Sequence, residues 1–215
     1  MQESLAAALL IASKWDGKSP LVNPMCGSGT IAIEAALLAS GRRPGLLRKN
    51  YAFQHVVGYN PEFEKPFRSQ LEKEIVHHLN FPIIASDNRS GAVEDAKENA
   101  RFAGVEDLIQ FQCCDFRESV IPDAPGVIIL NPEYGERLGE QSELEQTYEE
   151  IGDFFKKKCS GYKGYIFTGN LDLAKKIGLK ASRRIEFYSA QIDCRLLEYE
   201  LYAGSRRIVN PDPQP

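Results

Sequence analysis

A short apolar strand runs straight into a glycine-containing turn and then into an apolar helix near the start of the chain. The strand is predicted over residues 20–23, and the helix over residues 30–40 with Gly41 as its stop. The segment that joins them reads Asn23, Pro24, Met25, Cys26, Gly27, Ser28, Gly29 and Thr30. Glycines at a strand end let the backbone turn sharply and approach a ligand, and the following helix presents free N–H groups. This pattern predicts a ligand-binding turn of a parallel α/β sheet.

The rest of the chain continues the alternation of strand and helix. Strands are predicted at residues 82–86, 108–112, 126–130 and 163–167, and helices at residues 5–13, 66–79, 90–103, 142–159 and 171–177. Two later runs, 184–188 and 195–202, predict an antiparallel hairpin at the sheet edge. We therefore expect an α/β fold of the Rossmann type: a mostly parallel seven-stranded sheet with an antiparallel C-terminal hairpin and helices on both faces. Residues 1–209 form this domain, with an irregular insertion at about 42–65 and a flexible tail at 210–215.

Acidic and amide side chains follow three more of the predicted strands. They are Asp87 and Asn88, then Asp115 with Phe116, then Asn131, Pro132, Glu133 and Tyr134. Taken alone, each acid is as readily a helix cap or loop residue. Together with the glycine turn they lie at the carboxyl ends of parallel strands, where open α/β sheets bind ligands. In such a site Asp87 can accept ribose hydroxyls, Asp115 can accept an adenine amino hydrogen, and Phe116 can present an apolar edge to the ring.

The Asn-Pro-Glu-Tyr loop has the chemistry for methylating an exocyclic amine. Such an amine is a poor nucleophile because its lone pair is delocalised into the ring. The Asn131 side-chain oxygen and the Pro132 carbonyl can each accept one N–H, which directs the lone pair away from the ring. The Tyr134 ring can stack on an extruded base, worth ~1–3 kcal/mol. A sulfonium methyl donor is already activated, so alignment supplies much of the rate and neither a metal nor a cysteine nucleophile is needed.

Composition limits the other classes of function. Five cysteines without paired spacing and three histidines without ligand spacing predict neither a disulfide framework nor a metal site. No run of apolar residues is long enough to span a membrane, and the first residues lack the features of a signal peptide, so we expect a cytoplasmic protein. The formal net charge of -4 is unfavourable for binding nucleic-acid phosphates, so a nucleic-acid substrate would need another domain or subunit for part of its binding.

The segment from Asn23 to Ile31, together with the segment from Asn131 to Gly139, resembles the THUMP-associated RNA methyltransferases. These bacterial enzymes methylate N2 of guanine in large-subunit ribosomal RNA, and relatives act on tRNA. The resemblance covers nearly the whole chain and implies S-adenosyl-L-methionine as cofactor. It assigns residues 23–30 to the methionine part, Asp87 with Asn88 to the ribose, Asp115 with Phe116 to the adenine, and residues 131–134 to the target base.

Two departures from the family pattern accompany this resemblance. Glu133 stands where the family usually has a second proline, Asn-Pro-Pro-Tyr. The family's N-terminal RNA-binding THUMP region is expected to lie outside this chain. Three other functions remain open: N6-adenine methylation of DNA or RNA, a nicotinamide-dependent dehydrogenase, and a non-catalytic RNA-processing partner. The missing third glycine, at the position of Ile31 and Ala32, is evidence against the dehydrogenase.

Overall fold

A seven-stranded sheet runs through the centre of the computed structural model, which describes residues 1–134, 141–189 and 192–202. The strand order is β3-β2-β1-β4-β5-β7-β6. The first five strands are mutually parallel, whereas β7 pairs antiparallel with both β5 and β6. The predicted sheet with an antiparallel terminal hairpin is confirmed. The strands are β1 (Leu21–Pro24), β2 (Ile83–Asp87), β3 (Ile109–Cys113), β4 (Val127–Leu130), β5 (Lys163–Thr168), β6 (Arg183–Ser189) and β7 (Ile192–Glu200).

Helices cover both faces of this sheet, as expected when parallel strands are joined by right-handed crossovers. One face holds α1, α2 and α4, and the other holds α5 and α6. Short 3₁₀ turns connect several elements, at Pro44–Leu47, Ala52–His55, Glu106–Leu108 and Phe116–Glu118. The helices are α1 (Glu3–Ala12), α2 (Thr30–Ser40), α3 (Pro61–Lys73), α4 (Ser90–Ala103), α5 (Gln141–Lys158) and α6 (Leu171–Lys176).

The central strands are buried on both faces, which explains their unbroken apolar sequences. Every residue of β1, β2 and β4 is buried. Side chains of β4 alternate between the two layers: Ile129 packs toward α1 and α2, while Ile128 and Leu130 pack toward α5. A rigid pair of cores therefore holds the carboxyl ends of β1, β2 and β4 side by side.

The helix predicted at residues 66–79 is displaced toward the N-terminus. It begins at Pro61 because the Asn60 side chain accepts the Glu62 N–H and caps it, and because proline suits the first helical position. It ends at Lys73, after which the Val76 N–H donates to the Ser40 carbonyl at 2.8 Å. The insertion expected to be irregular through residue 65 therefore contains two 3₁₀ turns and the start of α3.

Some predictions fall on residues outside the described ranges. They concern residues 135–139 of the second motif, the link at 190–191 between β6 and β7, and the tail at 210–215 with the domain boundary at 209. Among the helices of the described part, none is long and apolar enough to cross a membrane.

Candidate active site

A cavity of about 510 Å³ lies at the carboxyl ends of β1, β2 and β4. It collects most of the residues that sequence reasoning predicted for the site. The predicted residues that line it are Asn23, Met25, Cys26, Gly27, Ser28, Thr30, Asp87, Asn88, Phe116, Asn131, Pro132 and Glu133. The glycine turn, the end of β2 and the Asn-Pro-Glu-Tyr loop thus share one space, as parallel strands with a common edge require.

The carboxylate of Asp87 fastens the glycine turn to the end of β2. Its Oδ2 accepts the Gly27 N–H at 2.9 Å, and its Oδ1 accepts the Arg89 N–H at 3.1 Å. The Cys26 N–H also donates to the Ser86 carbonyl, at 2.8 Å. Asp87 is 7% exposed, so these bonds are made in a largely dry environment. The carboxylate shapes the cavity wall as well as offering its remaining lone pairs to a ligand.

The turn needs glycine for conformation and for space. Gly27 and Gly29 have φ of 54° and 80°, in the left-handed region that favours glycine. A Cβ added at Gly29 would lie 2.8 Å from the Ala96 Cβ of α4, closer than packed side chains allow. Met25 is left-handed without being glycine, with φ of 58°. Such a conformation is uncommon and persists where the surrounding structure enforces it, frequently at a functional site.

Asn23 bridges the ends of β1 and β4. The parallel register between these strands extends through Val22 and Ile128. One residue further on, the Asn23 Nδ2 donates to the Ile129 carbonyl at 2.8 Å. The Asn23 side chain is 1% exposed. A side-chain bond therefore extends the contact between the strand that leads to the glycine turn and the strand that leads to Asn131.

Two amide oxygens at this edge have no donor. The Oδ1 atoms of Asn23 and Asn131 are both buried and lack a hydrogen-bond partner in the described part of the chain. Both residues line the cavity. Buried acceptors are normally satisfied, and leaving one unpaired costs about 1–3 kcal/mol. A ligand that brings N–H donors to this edge would satisfy them.

Cys26 is a poor candidate for a nucleophile. Burial, followed by the nearby Asp87 carboxylate, raises the pKa of its thiol to about 12. The thiolate is the nucleophilic form of cysteine, so this group stays protonated and unreactive at neutral pH. Phe116 is 6% exposed and packs edge-on against Phe154, with ring centroids 5.6 Å apart. It gives the cavity a firm apolar wall.

Four predicted site residues do not line the cavity: Asp115, Tyr134, Pro24 and Gly29. The Asp115 carboxylate caps the 3₁₀ turn at Phe116–Glu118 and accepts two bonds from the Arg117 guanidinium, at 2.7 and 2.9 Å. These bonds hold the pKa of Asp115 below its usual value. Pro24 and Gly29 also lie behind the lining, in the strand end and the turn.

The Tyr134 ring packs against both cores instead of facing the cavity. Its hydroxyl contacts the Cys194 Sγ at 4.0 Å, and burial raises the pKa of the phenol. In this conformation the ring anchors the end of the Asn-Pro-Glu-Tyr loop. Glu133, by contrast, is exposed and lines the cavity.

Five lining residues were absent from the sequence prediction: Met1, Ile31, Arg89, Leu144 and Thr147. Arg89 directly follows Asp87 and Asn88, so its position beside them was available from the sequence. Leu144 and Thr147 are three residues apart on α5, a spacing that places both on one helix face. That periodicity was a usable signal, whereas nothing in the sequence marked Met1.

Within the described ranges, no group of three or more histidine, cysteine, aspartate or glutamate side chains is arranged to hold a metal ion. His55 instead shares a 2.6 Å hydrogen bond with the Asn50 side chain, away from the cavity. The cavity therefore offers a ligand the unpaired amide oxygens, the hydrogen-bonded carboxylate of Asp87 and apolar walls.

Residues 1–198 match the family model UPF0020, described as an RMKL-like methyltransferase domain. Among curated proteins, the chain is 35% identical over 211 residues to ribosomal RNA large subunit methyltransferase K/L of Syntrophotalea carbinolica. It is 36% identical over 215 residues to the protein of the same name from Shewanella baltica. These alignments cover 94% and 98% of the chain but only 30% of each relative. The chain thus spans less than a third of these relatives.

Two solved structures share the fold closely. The crystal structure of SMU.472 in complex with SAH has a TM-score of 0.85 and 28% identity, covering 94% of this chain and 53% of that one. A protein of Listeria monocytogenes described as a predicted N6-adenine-specific DNA methylase has a TM-score of 0.83 and 31% identity. That comparison covers 93% of this chain and 51% of the Listeria chain.

Proposed function

This chain belongs to the RMKL-like methyltransferase domain family, and from that premise we propose that it methylates the exocyclic N2 amino group of a guanine in RNA. The methyl donor is S-adenosyl-L-methionine, and the RNA is large-subunit ribosomal RNA. The names of the curated relatives support RNA as the substrate, and their greater length leaves room for further RNA-binding parts. The guanine N2 position is taken from the resemblance to the THUMP-associated RNA methyltransferases, and Glu133 at the cavity favours guanine, since the two acceptors alone suit any exocyclic amine.

The free Oδ1 of Asn131 carries this proposal. It is an unpartnered acceptor on a residue that lines the cavity, and it is followed at once by Pro132, whose backbone carbonyl is a second acceptor. An amino group held by two acceptors has its lone pair directed away from both. Orientation of this kind lowers the barrier to transfer without any covalent participation by the protein.

The cavity also fits the methyl donor, on the evidence of its own residues. The glycine turn brings backbone close to the ligand space, and the unpaired Asn23 Oδ1 offers an acceptor for the donor's ammonium group. Asp87 and Asn88 lie where ribose hydroxyls can be bound, and Phe116 offers an apolar face to adenine. The SAH in the SMU.472 crystal structure is consistent with this donor. When bound, the donor supplies an activated sulfonium methyl group.

Asp115 can accept the adenine amino group only if Arg117 releases its carboxylate. Its carboxylate is engaged by Arg117, which also pairs with Glu150 at 3.1 Å. Arg117 is half exposed, so the pair is weak enough to yield to a ligand. We propose that Arg117 shifts toward Glu150 when Asp115 accepts the adenine amino group. Likewise, the Tyr134 ring can stack on the target base only after it leaves its contact with Cys194.

The experiment that tests the function offers labelled donor with three substrates: ribosomal RNA, tRNA and DNA. Digestion of each to nucleosides and mass spectrometry then identify the methylated base. N2-methylguanosine in ribosomal RNA is the expected product. Methylation of guanine in tRNA alone would support the proposed reaction but replace ribosomal RNA as its substrate. No methyl transfer to any guanine would contradict the proposal.

N6-adenine methylation is the second candidate, favoured by the 31% identity to the Listeria protein described as an N6-adenine-specific DNA methylase. The same two acceptors suit the adenine amino group. Glu133 distinguishes the candidates, because an exposed carboxylate at the cavity can accept the guanine N1–H, a donor that adenine lacks. N6-methyladenosine as the sole product would establish this alternative.

A further inference from the structure

The crossover between α2 and β2 carries an exposed surface that the cavity chemistry does not use. We call it the crossover surface and define it as residues 42–60 together with α3. Within residues 42–60 the chain has Arg42, Arg43, Arg48 and Lys49 but no carboxylate, although the whole protein has a net charge of -4. The positive charge of this segment therefore contrasts with the remainder of the chain.

Aromatic side chains on the crossover surface are left open to solvent. Phe53 is 50% exposed, Phe63 is 81% exposed and Phe67 is 68% exposed. Together with Tyr59 they line a shallow groove of about 420 Å³. A contiguous patch of exposed apolar side chains is typical of a binding site.

A continuous series of ring contacts joins the basic residues to this groove. The Arg48 guanidinium lies 5.3 Å from the Tyr51 ring centroid. Tyr51 stacks on Phe53 at 5.4 Å with an interplanar angle of 20°, and Phe53 meets Tyr59 edge-on at 5.8 Å. Basic side chains beside aromatic rings are the pattern by which proteins bind single-stranded nucleic acid, with phosphates on the cations and bases on the rings, and Phe53 is the exposed ring of this series.

The cations of this segment are available to a ligand. Within the described ranges, Arg43, Arg48 and Lys49 form no ion pair with a carboxylate, and all three are exposed. The lysines at the end of α5 differ, because Lys156 and Lys157 both pair with Asp153. The acid within the groove already has partners: Glu64 accepts hydrogen bonds from Tyr59 and Gln54 and lies 3.9 Å from Arg68, which also pairs with Glu72.

Residues 42–60 are held in place against α3, and the crossover surface lies away from the cavity. Arg68 of α3 donates to the carbonyls of Leu46 and Arg48, which fixes the basic loop on the helix. The helix α2 begins at the glycine turn and has 11 residues, a length of about 16 Å at 1.5 Å per residue. Residues 42–60 follow its far end. A ligand that reaches both sites must therefore extend along the protein.

We propose that the crossover surface binds an unpaired segment of the RNA substrate, at a distance from the nucleotide that enters the cavity. The inference rests on the proposed RNA methylation and adds a requirement: the substrate is an extended RNA rather than a short oligonucleotide. A protein neighbour would also cover apolar groups, but it would not call for unpaired cations next to stacked rings.

The test combines two variants with a matched control. The variant Arg43→Gln/Arg48→Gln/Lys49→Gln removes three unpaired charges, and Phe53→Ala removes a ring. The control Lys156→Gln/Lys157→Gln/Lys175→Gln removes three charges that are paired with Asp153 and Asp172. Binding to a ribosomal RNA fragment is measured at several salt concentrations, with cofactor affinity as the check on folding.

The triple variant on the crossover surface should bind RNA roughly tenfold more weakly at low salt, and its salt slope should fall by about 2. Phe53→Ala should weaken binding roughly fivefold or more. In methyl transfer, both should raise KM for RNA and leave kcat at saturating RNA unchanged. Cross-linking of 4-thiouridine RNA should map to residues 51–67.

Three results would overturn the inference: equal losses in the control, unchanged RNA affinity in both variants, or cross-links confined to the cavity. Failure of the proposed function is recognised separately, because the wild-type chain would then transfer no methyl group to RNA, whatever these variants bind.

Discussion

The side-chain amide of Asn23 donates a 2.8 Å hydrogen bond to the backbone carbonyl of Ile129. The bond joins the strand that enters the glycine turn to the strand that ends directly before Asn131. It lies just past the last paired residues of β1 and β4, Val22 and Ile128. The two motifs that the proposed reaction must align are therefore connected by one buried contact.

Asn23→Ala should impair both stability and alignment. Removal of the amide leaves the buried Ile129 carbonyl without its donor, which costs about 1–3 kcal/mol in the free energy of unfolding. We also expect the rate constant of transfer at saturating cofactor to fall, since the loop that holds the target amine loses its tether. Saturation separates this effect from the weaker cofactor binding that loss of the Asn23 Oδ1 should also cause. Urea denaturation and single-turnover methylation measure the two effects.

Asn99→Ala is the matched control for that change. Asn99 also donates to a backbone carbonyl, that of Ser28 at 3.1 Å, but it is exposed, so water can replace the bond. Its substitution should change stability by less than about 0.5 kcal/mol. Equal effects of the two substitutions would show that Asn23 has no special positioning role.

Asp87→Ala should weaken binding of S-adenosylmethionine by about 1–3 kcal/mol, as expected for loss of a buried hydrogen-bonding partner. The substitution also removes the acceptor of the hydrogen bonds that the Gly27 and Arg89 N–H groups donate. Asp87→Asn keeps one acceptor and should lose less. Calorimetry gives the affinities, with the exposed Asp172→Ala as control. Unaltered cofactor affinity in Asp87→Ala would remove Asp87 from the proposed site.

Cys26 should resist alkylation that modifies Cys113. Because the pKa of the Cys26 thiol is raised to about 12, only roughly one thiol in ten thousand is ionised at pH 8. Cys113 is exposed and serves as the internal comparison. Peptide mapping after iodoacetamide treatment measures both, and Cys26→Ala should retain methyl transfer. Rapid labelling of Cys26 at pH 8, or loss of transfer in the alanine variant, would contradict the structure.

Tyr134 offers a test between packing and stacking. If its ring stays against Cys194, Tyr134→Ala should lower the melting temperature, while Tyr134→Phe should be mild because the hydroxyl makes only a 4.0 Å contact. If the ring leaves that contact to stack on the base, Tyr134→Ala should also raise KM for RNA. Thermal unfolding combined with steady-state kinetics separates the two, and an unchanged KM would exclude a stacking role.

The sheet was predictable from local pattern because its strands are buried on both faces. The run from Gly126 to Leu130 predicted a strand that the structure places at Val127–Leu130. The cavity followed from the same logic, since parallel strands end at a common edge. The helix α3 begins five residues before the predicted Pro66, because Asn60 caps it and Pro61 is its first residue, so that Pro66 lies inside the helix.

The parts that the sequence did not predict depend on contacts between distant residues. Nothing near Tyr134 indicates that its ring packs against Cys194, 60 residues later. Likewise, Asp115 has the position of a ligand-binding acid, yet its neighbour Arg117 occupies it. Side-chain orientation in loops is decided by the core against which they pack, and a one-dimensional pattern does not record that packing.

The most direct test of the account compares the wild-type chain with Asn131→Ala in single-turnover methylation of ribosomal RNA, with nucleoside mass spectrometry as the readout. Asn131 is proposed to act on the target amine, so its loss should lower the rate constant far more than the affinity for free cofactor. We predict N2-methylguanosine from the wild-type chain and almost none from Asn131→Ala, at nearly equal cofactor affinity. Full transfer by Asn131→Ala would contradict the proposed mechanism.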